Sequence, residues 1–417
     1  MKKALQSIVL LGATTGVAQA ATSVTLYGLV DGGIAYSQAK LTHEGTEFLP
    51  KFTRVVRDVG MKNGILNGNR WGLKGTEDLG NGTSVIFKIE SGFDLGDGKS
   101  KQGGSLFGRQ AIVGLTGNSW GTLTLGRQHN VADDVVSGLD PFRTGVLFAG
   151  VTDGAFGGSP SARMSNSIKY MIPDLSGFKF GLAYSGTHNK VSLDGGKFLS
   201  ETTRDTSNWM STGLGYANGP IEAGVSYDRY RVDTRTVTTN AGTVTENKNT
   251  SSTSMWNLFG TYDFEVVKLH LGYGRIRGAI AKDTPGVGLN GMLAQITGEK
   301  DGAGKVGRPN YTQTSGFRQQ SWMAGLSAPV SDSGTVLFSY QGNTSKNNTD
   351  DYDGVKGKLN IFSLGYVQGL SKRTRVYAAA SYAVGKLNTG KYELEVNGLG
   401  DLKQRVTLIS AGLQHRF

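Results

Sequence analysis

The sequence predicts an all-β fold, a transmembrane antiparallel β-barrel of sixteen strands whose third long loop folds inward. Three observations carry that expectation. Apolar and polar residues alternate with a period of two in short runs along the chain after residue 20. The connections between those runs are alternately short and long. Finally, the chain stops on such a run, "LISAGLQHRF", in which Ala411, Leu413, His415 and Phe417 share one parity and Ser410, Gly412, Gln414 and Arg416 the other. Chain ends usually fray, so a terminal strand closing on an aromatic needs a partner to hold it.

In chain order, "VTLYGLVDGGIAY" sets Val24, Leu26, Val30, Ile34 and Tyr36 against Thr25, Tyr27, Asp31 and Gly33. "TSVIFKIESGF" opposes Val85, Phe87, Ile89 and Phe93 to Ser84, Lys88, Glu90 and Gly92, and "VVKLHLGYG" does the same with Val267, Leu269, Leu271 and Tyr273. Runs of this kind place strands at 24–36, 65–79, 82–94, 105–117, 119–127, 164–173, 177–188, 207–218, 219–231, 252–263, 266–278, 316–328, 333–343, 357–369, 374–385 and 404–417. Tight joints such as "LGNG", "ANGP" and "GLSKR" hold turn formers. Longer polar segments lie between them, at 37–64, 128–163, 232–251 and 279–315 among others.

A soluble sandwich has no reason to make every second connection long. An outer-membrane barrel does, because periplasmic turns stay short while outward loops elaborate. An even strand count brings both termini to the short-turn end, so the last strand pairs with the first. Lipid offers the backbone no hydrogen bonds, and that makes closure obligatory. The apolar face then meets lipid and the polar face the lumen, with Tyr36, Tyr273, Phe338, Tyr382 and Phe417 as candidates for the interfacial aromatic girdles.

Composition agrees with this reading. The chain holds 63 Gly, 16 Tyr and 17 Phe but only 8 Pro, and its mean hydropathy of -0.26 is too polar for a bundle of membrane helices. No cysteine is present, which removes disulfide frameworks and thiolate metal sites and suits passage through an oxidising compartment. The opening "MKKALQSIVLLGATTGVAQA" has a cationic start, a short apolar stretch and an A-x-A end, so residues 1–20 are expected to be a signal peptide cleaved after Ala20. Residues 21–417 then form a single barrel domain. Loss of Lys2 and Lys3 takes the formal charge from +11 to +9, and an exported basic protein points away from nucleic acid and toward an anionic surface or permeant.

Enzyme chemistry finds no support. The five histidines, His43, His129, His188, His270 and His415, contain no H-x-x-x-H pair, and no G-x-S-x-G elbow joins a strand to a helix. "GFDLGDGKS" imitates a phosphate loop but has Phe93 where the pattern requires glycine. No catalytic residue, metal or cofactor is expected.

The strongest functional signal is the connection 128–163. It carries Val135, Val136, Leu139, Phe142, Val146, Leu147, Phe148, Val151 and Phe156, more apolar surface than an exposed loop should show, and folding against the inner barrel wall is the available place to bury it. Its carboxylates, including Asp133, Asp134, Asp140 and Asp153, would set an acidic screen in the lumen. On the wall, Trp71 and Leu73 facing lipid put Arg70 and Lys74 in the lumen, with Lys88 in the next strand. If Ile112 faces lipid then Arg109 points inward, and Arg127 ends the strand that enters the loop. A cationic wall facing an acidic loop would create a transverse field. A sugar- or dicarboxylate-selective channel would need a row of aromatics along the path, and Phe142 and Phe148 are too few. An adhesin or hydrolase barrel is the alternative from another class.

"VTLYGLVDGGIAY", "NRWGLKGTEDLGNGTSVIFKIESGF", "LFGRQAIVGLTGNSWGTLTLGRQ", "NSIKYMIPDLSGFKFGLAYS" and the terminal "AGLQHRF" resemble the Gram-negative general porins of the beta-proteobacterial type. The resemblance implies a homotrimer in the outer membrane, surrounded by its lipid and lipopolysaccharide, passing small hydrophilic solutes and ions by diffusion, and the basic charge balance of the chain adds the expectation of a weak anion preference. It places the basic cluster at Arg70 in "RWG", Arg109 in "GRQ" and Arg127 in the second "GRQ". It further implies that Ser410, Gly412, His415 and Phe417 form the signal read by the outer-membrane assembly machinery.

Overall fold

Every pair of neighbouring strands is antiparallel, and the last strand pairs with the first from Leu29↔Arg416 to His43↔Leu402. The computed structural model describes residues 23–45, 50–143, 145–194, 199–241, 243–278, 312, 314–352, 354–389 and 401–417. The expected signal peptide and most of the 279–315 connection lie outside them. The strands are β1 (Ser23–His43), β2 (Phe52–Asn63), β3 (Arg70–Gly80), β4 (Thr83–Gly92), β5 (Gln110–Gly117), β6 (Gly121–His129), β7 (Arg163–Met171), β8 (Phe178–Asp194), β9 (Leu199–Asn218), β10 (Ile221–Asn240), β11 (Thr243–Asp263), β12 (Lys268–Gly278), β13 (Phe317–Pro329), β14 (Gly334–Asn347), β15 (Lys356–Gly369), β16 (Thr374–Asn388) and β17 (Leu402–Arg416). Both β2 and β3 pair with β1, through Gly32–His43 and Ser23–Leu29 respectively, so these two segments are halves of one interrupted stave. The described residues therefore form a closed barrel of sixteen staves.

The period-two pattern sorts the two faces. One row across β9 to β12 reads Leu214, Val225, Leu258, Tyr273, and the three aliphatic members are 43 to 51 % exposed. The next row reads Gly213, Ser226, Asn257, Gly274, and Ser226 and Asn257 are buried. An apolar exterior over a polar interior is the arrangement lipid demands. Closure removes both sheet edges, where each unpaired backbone group in lipid would cost several kcal/mol. Tyr36, Tyr273, Phe338, Tyr382 and Phe417 all fall on the outer parity, and the last three are exposed.

Short connections follow their residues. Asn81 and Gly82 take φ of 52° and 70° between the paired Gly80 and Thr83, the two left-handed residues of a hairpin turn that matches strand twist. Several expected loops are instead strand. β1 continues to His43 and β2 occupies much of 37–64, while 232–251 is a hairpin whose arms run from β10 into β11 with paired Asn240 and Thr243 at its tip. These extensions are polar and threonine-rich. Beyond the lipid nothing requires one apolar face, so hydrogen bonding extends the strands without leaving a period of two in the sequence.

At the seam, Phe417 N–H donates to the Gly28 carbonyl at 3.1 Å and Gly28 N–H donates back at 3.0 Å. The Phe417 ring lies over Gly28 on the outer face, where a Cβ would meet ring carbon at 2.2 Å. Ser410 and Gly412 face inward and His415 outward, its Nδ1 2.9 Å from the Thr374 hydroxyl.

Candidate functional site

The segment 130–162 lies against the inner face of the barrel. Its ends are tied together by Asn130, which exchanges backbone and side-chain bonds with Ala162 at 2.8 and 3.0 Å. The Asn130 amide also donates to Asp228 on β10 at 3.2 Å, and Val131 N–H donates to the Ser211 hydroxyl at 3.0 Å. The short helix α1 (Val131–Val135) fits the wall because β10 offers Gly224, where a Cβ would sit 2.0 Å from the Val135 carbonyl oxygen. Farther on, the Ala155 carbonyl accepts from Gln319, Ser321 and Asn343 at 2.8 to 3.1 Å, and Phe156 packs on Phe259 with ring centroids 5.0 Å apart. Val135, Val136, Leu139, Phe142, Val146, Val151 and Phe156 are all buried, which is how this loop disposes of its apolar surface.

The loop turns residues 138–143 toward a lumenal cavity of about 700 Å³. Across the cavity stands a wall built on β1, β3, β4, β16 and β17. Glu90 is its centre, accepting from Arg109 Nε at 2.7 Å and Tyr27 Oη at 2.9 Å, with Lys88 Nζ at 3.8 Å. Lys88 and Lys74 hold their ammonium groups 5.5 and 5.7 Å from the Tyr27 ring centroid. Arg70 donates Nε to the Gly68 carbonyl at 2.9 Å. Leu29 pairs with Arg70 on one side and Arg416 on the other, so the two arginines flank it on the inner face, and Arg375 follows one strand beyond.

The structure thus gathers Arg70, Lys74, Lys88 and Arg109. It places Arg127 elsewhere, on the outer parity beside a bulge at Gly126–Gln128, bonded to the Gly108 carbonyl and the Ser165 hydroxyl. The premise about Ile112 is corrected: it pairs with Lys88 and takes the inner parity. Arg109 reaches inward nonetheless because it precedes the first regular residue of β5, Gln110, and is released from strict alternation.

The loop's carboxylates do not form a screen opposite the arginines. Asp140 is buried and accepts from the loop's own Phe142 and Val151 N–H groups at 3.0 and 2.9 Å. Asp134 is paired with Lys169 at 2.8 Å. Asp133 is held by His129 at 2.9 Å and by the Ser161 hydroxyl; burial alone would raise its carboxyl, but these two bonds outweigh it and hold the group well below the usual carboxylate range. Asp153 stays exposed, in the field of Arg163. What the loop presents to the cavity instead is a cation, Arg143.

Among the described residues six cations line the cavity: Arg70, Lys88, Arg143, Lys268, Arg375 and Arg416. Its other carboxylates, Glu90 and Glu222, are bound by Arg109 and Lys268 respectively. Among the described residues Arg70, Arg143, Arg375 and Arg416 form no ion pair. Sequence reasoning missed Arg143, Arg375, Arg416, Glu90 and Asp31 as site residues. Arg416, Glu90 and Asp31 left the sign of an inward parity in their strands, whereas Arg143 in the loop left none.

Residues 7–387 match the family model described as Gram-negative porin. An outer membrane porin protein of Bordetella pertussis is 38% identical, with both chains covered in full, and outer membrane porin protein 32 of Delftia acidovorans is 26% identical over the same span. Among solved structures, an anion-selective porin from Comamonas acidovorans superposes with a TM-score of 0.60 at 23% identity, covering 95% of this chain and 100% of that one. An outer membrane protein of Vibrio cholerae in a trimer form gives 0.55 at 15%, with 95% and 100% covered. With a closed sixteen-stave barrel, an inner-wall loop and full-length similarity to an outer membrane porin, this chain belongs to the Gram-negative porin family, a passive diffusion pore of the outer membrane.

Proposed function

We propose that this porin prefers small anionic solutes over cationic ones of the same size. The observation that carries the reading is the set of four cavity arginines that have no carboxylate partner among the described residues, facing one another from wall and loop. A cation in a wet, protein-walled lumen raises the local anion concentration. Family and fold point to a channel rather than an enzyme. Swelling of vesicles carrying the purified protein tests the proposal: small monocarboxylates should enter faster than ammonium-bearing solutes of equal size, and equal rates would contradict it.

Three further expectations rest on the family. The relatives include a structure described as a trimer, and a homotrimer set in outer-membrane lipid and lipopolysaccharide is the assembly proposed here. Cleavage after Ala20 would yield the mature chain. Ser410, Gly412, His415 and Phe417 would serve the assembly machinery, and Phe417 supports this by being 47% exposed at the seam. Phe417→Ala keeps both backbone bonds to Gly28 and removes only the ring. The yield of assembled protein should fall severalfold while the conductance of what does assemble stays unchanged; an undiminished yield would overturn the signal reading.

A further inference from the structure

Between β2 and β3 the wall leaves the barrel surface and folds inward as a knuckle, residues 64–69. Its form follows from one carboxylate. Asp31, fully buried on the inner face of β1, accepts through Oδ1 from Ile65 N–H at 2.8 Å, Leu66 N–H at 3.3 Å and Tyr377 Oη at 2.8 Å. Through Oδ2 it accepts from Asn67 N–H at 3.2 Å and Gln414 Nε2 at 2.9 Å. The backbone of Asp31 completes the clasp, its carbonyl accepting from Gly64 at 2.8 Å and its N–H donating to Asn69 Oδ1 at 2.5 Å. Gly64 takes φ of +64°, the reversal that starts the knuckle. Three successive backbone N–H groups on one carboxylate form an anion nest whose anion is covalently part of the neighbouring strand.

The knuckle touches both sides of the pore. Gly68 gives its carbonyl to Arg70 and lies with its would-be Cβ 3.4 Å from Arg109 Nη1. Ile65 and Leu66 pack with Phe142, Val146 and Ala149 of the loop and with Leu337, Tyr377 and Ala379 of the wall. Gly145 at the loop tip sits so close that a Cβ there would be 2.0 Å from the Leu66 carbonyl oxygen.

We infer that the 64–69 knuckle, clasped by Asp31, is the lock that fixes the loop tip at its distance from the arginine wall, so that Asp31 is a positioning residue for the pore. The inference deepens the pore reading and rests on it. Asp31→Asn keeps the shape but turns an amide N–H₂ toward the donors of Asn67 or Ile65, which leaves buried donors facing a donor. Gly145→Ala attacks the same contact from the loop side, without touching the clasp.

Single channels of the full-length protein in planar bilayers separate the outcomes. Each variant should show a larger mean conductance and more open-channel current noise than the wild type, as the tip leaves its seat. The double variant should show no more than the larger single effect, because both remove one contact. Assembly and heat resistance of Gly145→Ala should match the wild type, so a general loss of stability is not the cause. Wild-type conductance and noise in Gly145→Ala would overturn the lock, even if Asp31→Asn fails to assemble. Additive effects in the double variant would overturn it as well. A silent wild type would instead refute the pore reading beneath it.

Discussion

Replacing Arg70 and Arg416 together by alanine should remove most of the anion preference while leaving an open channel. Both side chains face the cavity from either side of Leu29, and neither is engaged by a carboxylate. A unit charge about 4 Å from a passing ion is worth about 1 kcal/mol in a water-like dielectric, which is a factor of about five in local anion concentration. Two such charges multiply to about 25-fold in local anion concentration as an upper limit, so their loss should lower the anion-to-cation permeability ratio severalfold or more in dilute salt, and by much less near 1 M, where the screening length falls to about 3 Å. Arg109→Ala should act by another route. It would remove one positive charge and leave Glu90, whose Oε1 now accepts from Arg109 at 2.7 Å, with only Lys88 at 3.8 Å to offset its charge, so the wall beside Tyr27 should attract cations more strongly. Reversal potentials of the two variants at two salt concentrations check both statements. An unchanged ratio in the Arg70 and Arg416 variant would remove these residues from the selectivity mechanism.

Filling the niche under α1 should give the second large effect. In Gly224→Val the added side chain begins 2.0 Å from the Val135 carbonyl oxygen, a backbone atom that yields only if the helix moves. Overpacking of this kind costs about 1–3 kcal/mol, small against a sheet whose strand hydrogen bonds all survive, so the barrel should assemble with its loop displaced. Conductance should rise and the discrimination between small and large neutral solutes should weaken. Gly260→Ala on the neighbouring strand is the control, because its Cβ would meet nothing closer than 3.7 Å. Vesicle swelling with a series of sugars measures the change, and a Gly224→Val channel that excludes large sugars as the wild type does would show that α1 does not narrow the path.

The fold was legible wherever lipid imposes a rule. Leu214, Val225 and Leu258 lie in register across three strands because each had to face hydrocarbon, and the period of two records it. The hairpin of β10 and β11 beyond residue 231 was not legible, because paired strands in water need no apolar face. The site was legible in part for the same reason. Arg70, Lys74 and Lys88 declare their direction through the apolar neighbours that alternate with them. Asp31 and Glu90 also stood on the polar parity, but Asp31 matters through Gln414 and Tyr377, hundreds of positions away, and Glu90 through Tyr27 and Arg109 on other strands or their approaches. Asp140 misled for a local reason. A carboxylate in an apolar-rich loop reads as a pore charge, whereas here it is the acceptor that closes the loop's own turns around Phe142 and Val151. Arg143, three residues on, takes the place assigned to it.

The lumen of this porin is open and its fixed charge is positive. The direct test is the zero-current potential of the purified wild-type protein in a planar bilayer with unequal potassium chloride on its two sides. Stable conductance and a potential of the sign set by chloride, growing as both solutions are diluted, are expected. A potential of the potassium sign, or a bilayer that stays silent, would contradict this reading.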